Sequence, residues 1–183
     1  MARRNQREFQ DFFYDVCCLD YQRLSDAMDP LKALLDDAKT VHIEGPGTDL
    51  RFSIEGLPSV KCDGHRNIPD GEVYTAPVRD SVEGTITYNT GSIQQGELYD
   101  GVSLTFEKGR IVESTCSQGD AEKLTKIFAQ DEGAAYIGEF AFGLNPHITQ
   151  AMQDILFDEK IGGSIHFTPG NAYATADNGN RSE

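Results

Sequence analysis

Three residues combine metal-ligand chemistry with an apolar neighbourhood. Glu139 lies in the run Tyr136-Ile137-Gly138-Glu139-Phe140-Ala141-Phe142, where strand alternation places it on one face with Ile137 and Ala141. Glu72 follows a Pro69-Asp70-Gly71 turn and starts the apolar stretch Val73-Tyr74-Thr75-Ala76-Pro77-Val78. His166 sits between Ile165 and Phe167, with Gly162-Gly163 before it and Pro169-Gly170 after it. An ionised carboxylate on such a face is costly to bury unless a cation or hydrogen-bond donors compensate it. Two glutamates and a histidine converging from three strands would suit a divalent cation such as zinc, cobalt, manganese or magnesium. The competing reading is a strand-edge glutamate with a solvated head and a histidine bonded to a backbone carbonyl. No short-range ligand pair of the H-E-x-x-H kind decides between them.

Other motifs carry less. Gly45-Pro46-Gly47-Thr48-Asp49 follows a strand but lacks Gly-Lys-Ser/Thr and a following helix, so it reads as a tight turn and not a phosphate cradle. The run from Asp63 to Glu72 places Ile68 where a calcium loop of the EF-hand type needs glycine, and strands flank it. Cys17, Cys18, Cys62 and Cys116 form no C-x-x-C pair and read as free thiols in a reducing compartment. His42 alternates with Val41 and Ile43 and belongs on a solvent face, while His65 and His147 stand in surface turn contexts.

The elements that must position the three residues follow from periodicity. Phe9, Phe12, Phe13, Val16, Cys17, Leu24 and Met28 recur at helical steps over the first forty residues, and Asp29-Pro30 reads as the start of a second helix through Leu34 and Leu35. Beyond Lys39 the period becomes two: Val41/Ile43, Leu50/Phe52/Ile54, Val82/Ile86/Tyr88 and Val102/Leu104/Phe106 alternate with polar residues. A turn at Glu107-Lys108-Gly109 leads into a strand over 110–115, and Asp120 caps a helix carrying Leu124, Ile127 and Phe128. Strands are predicted over 136–142 and 164–167, with a short helix opening at Asn145-Pro146 between them. Residues 174–183 show neither period and read as a frayed terminus or a chain cut in mid-loop. Strands and helices are mixed without regular alternation, which predicts an α+β fold: a largely antiparallel mixed sheet, N-terminal helices and a few packing helices. The predicted organisation is one domain over 1–183, with a helical lead-in over 1–39 and a sheet-rich region over 40–183.

Charge narrows the function classes. Sixteen basic against thirty acidic residues leave a formal charge of −14, which opposes binding to nucleic acid or anionic lipid through a basic patch. The basic Met1-Ala2-Arg3-Arg4 is followed by polar residues where a signal peptide turns apolar, and every apolar run is too short to span a membrane. A cytoplasmic protein is expected.

The same segments resemble a known family, the metallopeptidases typified by thermophilic aminopeptidase T and staphylococcal aminopeptidase S. The resemblance covers most of the chain. It is densest in Gly45-Pro46-Gly47-Thr48-Asp49-Leu50, in the run from Asn67 to Pro77, and in Tyr136-Ile137-Gly138-Glu139-Phe140. It continues through Ile155-Leu156-Phe157-Asp158-Glu159-Lys160 and Gly163-Ser164-Ile165-His166-Phe167 to Gly170-Asn171-Ala172-Tyr173.

The resemblance implies that Glu72, Glu139 and His166 are metal ligands and that Tyr173 stands at the metal centre, binding metal or donating to an oxyanion. It implies two divalent cations per site, bridged by Glu139 or Glu72, removal of N-terminal amino acids from peptides, and a homodimer. Glu159 is a candidate general base, against the alternative of a salt bridge in the neighbourhood of Lys160. The family's N-terminal α/β domain and a later His-x-Asp motif have no counterpart in the 183 residues, so the chain is expected to be a truncated catalytic half. Such a chain would bind about one ion per subunit, weakly, have little or no peptidase activity, and expose an apolar surface including the Phe9/Phe12/Phe13/Val16 stripe that self-associates. The alternative function is a non-enzymatic peptide-binding or dimerising remnant of that fold.

Overall fold

Reciprocal capping starts the first helix: Asn5 Oδ1 accepts from the Glu8 amide at 3.0 Å, and the Glu8 carboxylate accepts from the Asn5 amide at 3.0 Å. The computed structural model describes residues 5–182; the basic start at residues 1–4 and Glu183 lie outside them. Helix α1 (Gln6–Cys17) buries Phe12 and Val16 against Ile148 and Met152 and leaves Phe9 and Phe13 exposed. The stripe expected as one open apolar surface is therefore divided, because the segment carrying Ile148 and Met152 folds back onto half of it.

Helix α2 (Tyr21–Asp37) starts at Asp20, whose side chain accepts from the Arg23 amide at 3.0 Å. This corrects the reading of Asp29-Pro30 as a helix start. Pro30 lies inside α2, and Asp29 accepts from Lys61 Nζ at 2.5 Å instead of capping. A proline inside a helix forfeits a backbone hydrogen bond; burial of Met28 and Leu35 in the main core, on either side of it, offsets the loss.

The remaining elements are β1 (Thr40–Gly45), β2 (Thr48–Ser53), β3 (Val60–Cys62), β4 (Glu72–Thr75), β5 (Glu83–Thr87), β6 (Ser92–Gln94), β7 (Glu97–Tyr99), β8 (Ser103–Glu107), β9 (Arg110–Thr115), α3 (Ala121–Phe128), β10 (Ile137–Gly143), α4 (Ile155–Asp158) and β11 (Ile165–Pro169). They build a five-stranded sheet in the order β1-β2-β5-β8-β9, a four-stranded sheet in the order β11-β10-β4-β3 and a β6-β7 hairpin. Each of these strand pairings is antiparallel, as the α+β reading requires.

The main core lies where the two larger sheets meet. Phe52 of β2 meets Phe140 of β10 and Phe167 of β11 at ring-centroid distances of 5.0 and 5.1 Å, with Leu50, Val73, Ile86, Leu104 and Phe106 buried around them. Because successive side chains of a strand point to opposite faces, spending Val73, Phe140 and Phe167 on this core turns Glu72, Glu139 and His166 to the other face of the four-stranded sheet.

Two stretches differ from their sequence reading. Asn145-Pro146 opens no helix. The Asn145 side chain is buried and donates to the carbonyls of Val16 at 3.2 Å and Asp70 at 3.0 Å, while its amide donates to the Lys160 carbonyl at 3.0 Å. These bonds tie the end of α1 to the loops carrying Asp70 and Lys160, and the helix begins later at Ile155, capped by Asp154. Nor are the last residues frayed. Asn178 Nδ2 donates to the carbonyls of Pro77 and Ile137, both at 2.8 Å, and Asn180 Nδ2 to those of Gly133 at 2.9 Å and Gly170 at 2.6 Å. Side-chain amides do here what a strand ladder does elsewhere, a device that hydrophobic periodicity does not reveal.

The chain reaches β3 under the control of Asp36, which accepts from the Ser59 amide at 2.8 Å, the Ser59 hydroxyl at 2.6 Å and Lys32 Nζ at 2.6 Å. Burial pushes this carboxyl up, but the bonds from Lys32 and Ser59 outweigh it and hold it at about 2. A depressed carboxylate pKa gives stability that is present above the unfolded value, about 3.9, and is lost as pH falls through the folded value. Asp36→Ala should therefore cost ~1–2 kcal/mol at pH 7, allowing for the solvent that reaches this side chain. In urea melts the advantage of the wild type should shrink between pH 4 and pH 2.

Candidate metal centre

The register of the four-stranded sheet makes the site. On β10, Ala141 is opposite His166 of β11 on one side and Tyr74 of β4 on the other. One row away, Gly143 is opposite Glu72, which is itself opposite Cys62 of β3; one row in the other direction, Glu139 is opposite Thr168. Directly opposed residues share a face, as do residues two apart on one strand. Glu72, Glu139 and His166 therefore surround the buried methyl of Ala141, a floor small enough for them to lean over.

Two glycines shape this floor. A Cβ on Gly143 would lie 2.3 Å from the Ile161 carbonyl oxygen, so its absence lets the segment 159–161 cross the end of β10 beside Glu72. A Cβ on Gly138 would lie 2.1 Å from the Asn171 carbonyl oxygen. At Gly138 the β10–β11 register shifts, and Ile137 joins Phe140 in the main core. The expected sharing of one face by Ile137, Glu139 and Ala141 is corrected accordingly: the bulge breaks the alternation between Ile137 and Glu139.

His166 Nε2 lies 3.4 Å from Glu72 Oε2 and 3.5 Å from Glu139 Oε1. One ligand atom from each of the three residues falls within 4.8 Å of the others. Glu72 is 5% exposed and Glu139 7%. Glu72 Oε2 and both ring nitrogens of His166 are buried and have no hydrogen-bond partner among the described residues. Buried polar atoms are seldom left so; an orphaned carboxylate oxygen facing an orphaned imidazole nitrogen, with Glu139 beside them, is a donor set whose chemistry fits a divalent cation.

Burial is the first influence on each titration here. It pushes Glu72 up, and the charges of Lys160 and His166 reverse only part of that. It pushes His166 down, but Glu139 and then Glu72 more than reverse it, leaving the imidazole above its ordinary value. Lys160, also pushed down by burial, is carried above the usual lysine range by Glu72 and Glu159. Its ammonium donates to Glu72 Oε1 at 3.1 Å and Glu159 Oε2 at 3.0 Å.

Tyr173 stands at the rim. It is 54% exposed, its ring lies 5.3 Å from that of Tyr74, and the charge of Glu139, with burial second, holds its phenol in the protonated form. Tyr74 is fixed in turn by a 2.5 Å hydrogen bond with Thr175. Glu159 makes the lysine ion pair weighed against a general-base role. His42, His65 and His147 are on the surface, and the four cysteines are free.

Sequence reasoning missed Lys160, Cys62 and Ala141. Lys160 follows Asp158 and Glu159 at the end of a short helix and looks like a surface charge; the crossing over Gly143 is what buries it. Cys62, Asp70 and Glu72 also bring ligand atoms within 4.8 Å of one another. There, however, the Asp70 oxygens accept from the Gly64 and Gly71 amides at 2.8 and 2.9 Å, and burial followed by the Glu72 charge keeps Cys62 a thiol. That group fixes the loop leading into β4.

Comparison with known proteins puts this chain in the metalloprotease class. Residues 6–183 match the thermophilic metalloprotease (M29) family, and the chain belongs to it. It is 34% identical over 149 residues to aminopeptidase AmpS of Bacillus subtilis and 37% identical over 149 residues to aminopeptidase T of Thermus aquaticus. Both alignments cover 73% of this chain and 35% of the relative, so the chain spans about a third of their length. The solved structure of wild-type AmpT from Thermus thermophilus superposes with a TM-score of 0.82 at 29% identity, over 97% of this chain and 50% of that one. Among the described residues no helix is long and apolar enough to cross a membrane.

The raised values of Glu72 and His166 act in the same direction. A carboxylate raised above its unfolded value, about 4.3, loses stability as pH climbs from there through the folded value; a histidine raised above about 6.5 loses its contribution as pH climbs through its own folded value. Chelator-treated protein should melt at a lower temperature at pH 8 than at pH 5. Glu72→Gln should flatten that difference, which separates the site from the overall charge of −14.

Proposed function

We propose that Glu72, Glu139 and His166 hold a divalent cation and that this centre serves a metallo-aminopeptidase acting on peptides with a free N-terminus. The observation that carries the reading is the orphaned, buried Glu72 Oε2 facing the orphaned His166 Nε2, with a Glu139 ligand atom in reach of both. The names of the relatives support the substrate class. An imidazole among the donors favours zinc, cobalt or manganese over magnesium. When bound, the ion would supply Lewis acidity and lower the pKa of a water it carries.

The chain's own groups do the rest. Tyr173, protonated and half exposed beside Glu139, donates its phenolic hydrogen to the oxygen that gains charge as the peptide carbonyl is attacked. Tyr74 and Thr175 fix the ledge on which Tyr173 rests. Ala141 leaves the space in which the ligand atoms meet.

Calorimetric titration of the chelator-treated chain with zinc, cobalt and manganese tests this. Saturable binding is expected, weakened roughly 100-fold or more by Glu139→Gln or His166→Ala. Ala141→Leu keeps every ligand yet should impair binding comparably, because the added side chain fills the floor. Hydrolysis of leucine 4-nitroanilide but not its N-acetyl derivative, lowered by Tyr173→Phe, is the expected activity. A wild type with no saturable cation binding would overturn the proposal.

A further inference from the structure

Lys160 is 1% exposed, more deeply buried than any of the three ligand-type residues. Its backbone is held without its side chain: the amide donates to the Phe157 carbonyl at 3.0 Å, the carbonyl accepts from the Asn145 amide at 3.0 Å, and Gly143 admits the crossing. The position of the segment therefore does not require an ammonium, and a buried lysine is costly unless its charge is matched. The match is specific. Lys160 Nζ takes Glu72 Oε1 at 3.1 Å, and the other oxygen, Oε2, is the one left without a partner, 3.4 Å from His166 Nε2. Glu159 Oε2, at 3.0 Å and on the more exposed side, anchors the ammonium from behind.

We propose that Lys160 is a positioning residue that occupies Glu72 Oε1 and so commits Glu72 to hold the cation through Oε2 alone. The inference rests on the metal reading above. With the lysine charge drawing on one oxygen, chelation through both is disfavoured, and a coordination position is kept for substrate or water. Lysine does this as a fixed point charge on a carboxylate, where an apolar residue of similar length would leave both oxygens free to close on the ion. The donor in contact with Glu72 comes from the segment that crosses over Gly143, at the end of the strand lying between those of Glu72 and His166.

Cobalt(II) alone is the probe, because its visible d–d bands weaken and shift as its coordination number rises. Wild-type chain loaded with cobalt should show the stronger bands of a low coordination number. Lys160→Met should weaken and shift them as Glu72 closes through both oxygens, and Lys160→Gln, which still donates a hydrogen bond to Oε1, should restore the wild-type spectrum. A merely structural lysine would lower the melting temperature without altering the cobalt bands. Should Lys160→Met fail to fold, the wild type itself decides: the infrared difference between cation-loaded and chelator-treated protein should carry a one-oxygen carboxylate signature that vanishes in Glu72→Gln. Identical cobalt spectra in wild type and Lys160→Met, or a two-oxygen signature in the wild type, would overturn the role of Lys160. A flat cobalt titration of the wild type overturns the metal reading instead, and the two failures are told apart by that titration.

Discussion

Two carboxylates held against one imidazole on a face with almost no water must be balanced by something, and the surroundings of β10 are arranged around that requirement. At separations near 4 Å, like charges in a protein interior repel by several kcal/mol, well beyond the worth of an ordinary hydrogen bond. Lys160 cancels one of the two charges and the His166 proton can cancel the other. Glu72 and Glu139 sit on separate strands, so neither can move away without disturbing a sheet whose opposite face is the aromatic core of Phe52, Phe140 and Phe167. The stability of that core is what keeps the acidic face together when no cation does.

The division of labour between the two faces was partly visible in the sequence. Alternation along 136–142 separates Glu139 from Phe140, and the isolation of Glu72 and His166 among apolar residues identifies all three as expensive to bury. Their convergence was not visible from spacing, because it depends on register: Ala141 opposite both His166 and Tyr74, and Gly143 opposite Glu72. Register is a tertiary property that a strand pattern constrains only to one face or the other. Ile137 shows the limit of the pattern, since the bulge at Gly138 moved it to the core while its sequence parity placed it with Glu139.

The helices teach a similar lesson. Asp120 was legible as a helix start because its side chain meets its own next turn. Asp29-Pro30 carried the same signature and was overridden, because Met28 and Leu35 belong to one buried stripe that runs through the proline. Asn145, Asn178 and Asn180 were illegible for the opposite reason. Their amides bond carbonyls 129, 101 and 47 residues away, and no local period records such distant partners. Lys160 belongs with them: its character as a buried charge comes from where the segment lies, over a glycine, and not from its neighbours in sequence.

The fastening of the last residues also governs how the chain ages. Asparagine followed by glycine, as at Asn178-Gly179, is the sequence in which the following amide nitrogen most readily attacks the side-chain carbonyl to form a succinimide and release ammonia. Here the Gly179 amide donates to Asp177 Oδ1 at 2.8 Å, and Asn178 Oδ1 accepts from the Asn180 amide at 2.9 Å. With Nδ2 shared between two carbonyls, the side chain cannot rotate into line for attack. Deamidation must wait for this corner to open, so its rate reports local unfolding and not peptide chemistry. Once it occurs, the damage is hard to undo: the new carboxylate would face the Pro77 and Ile137 carbonyls with no hydrogen to offer them, beside the strand that carries Glu139.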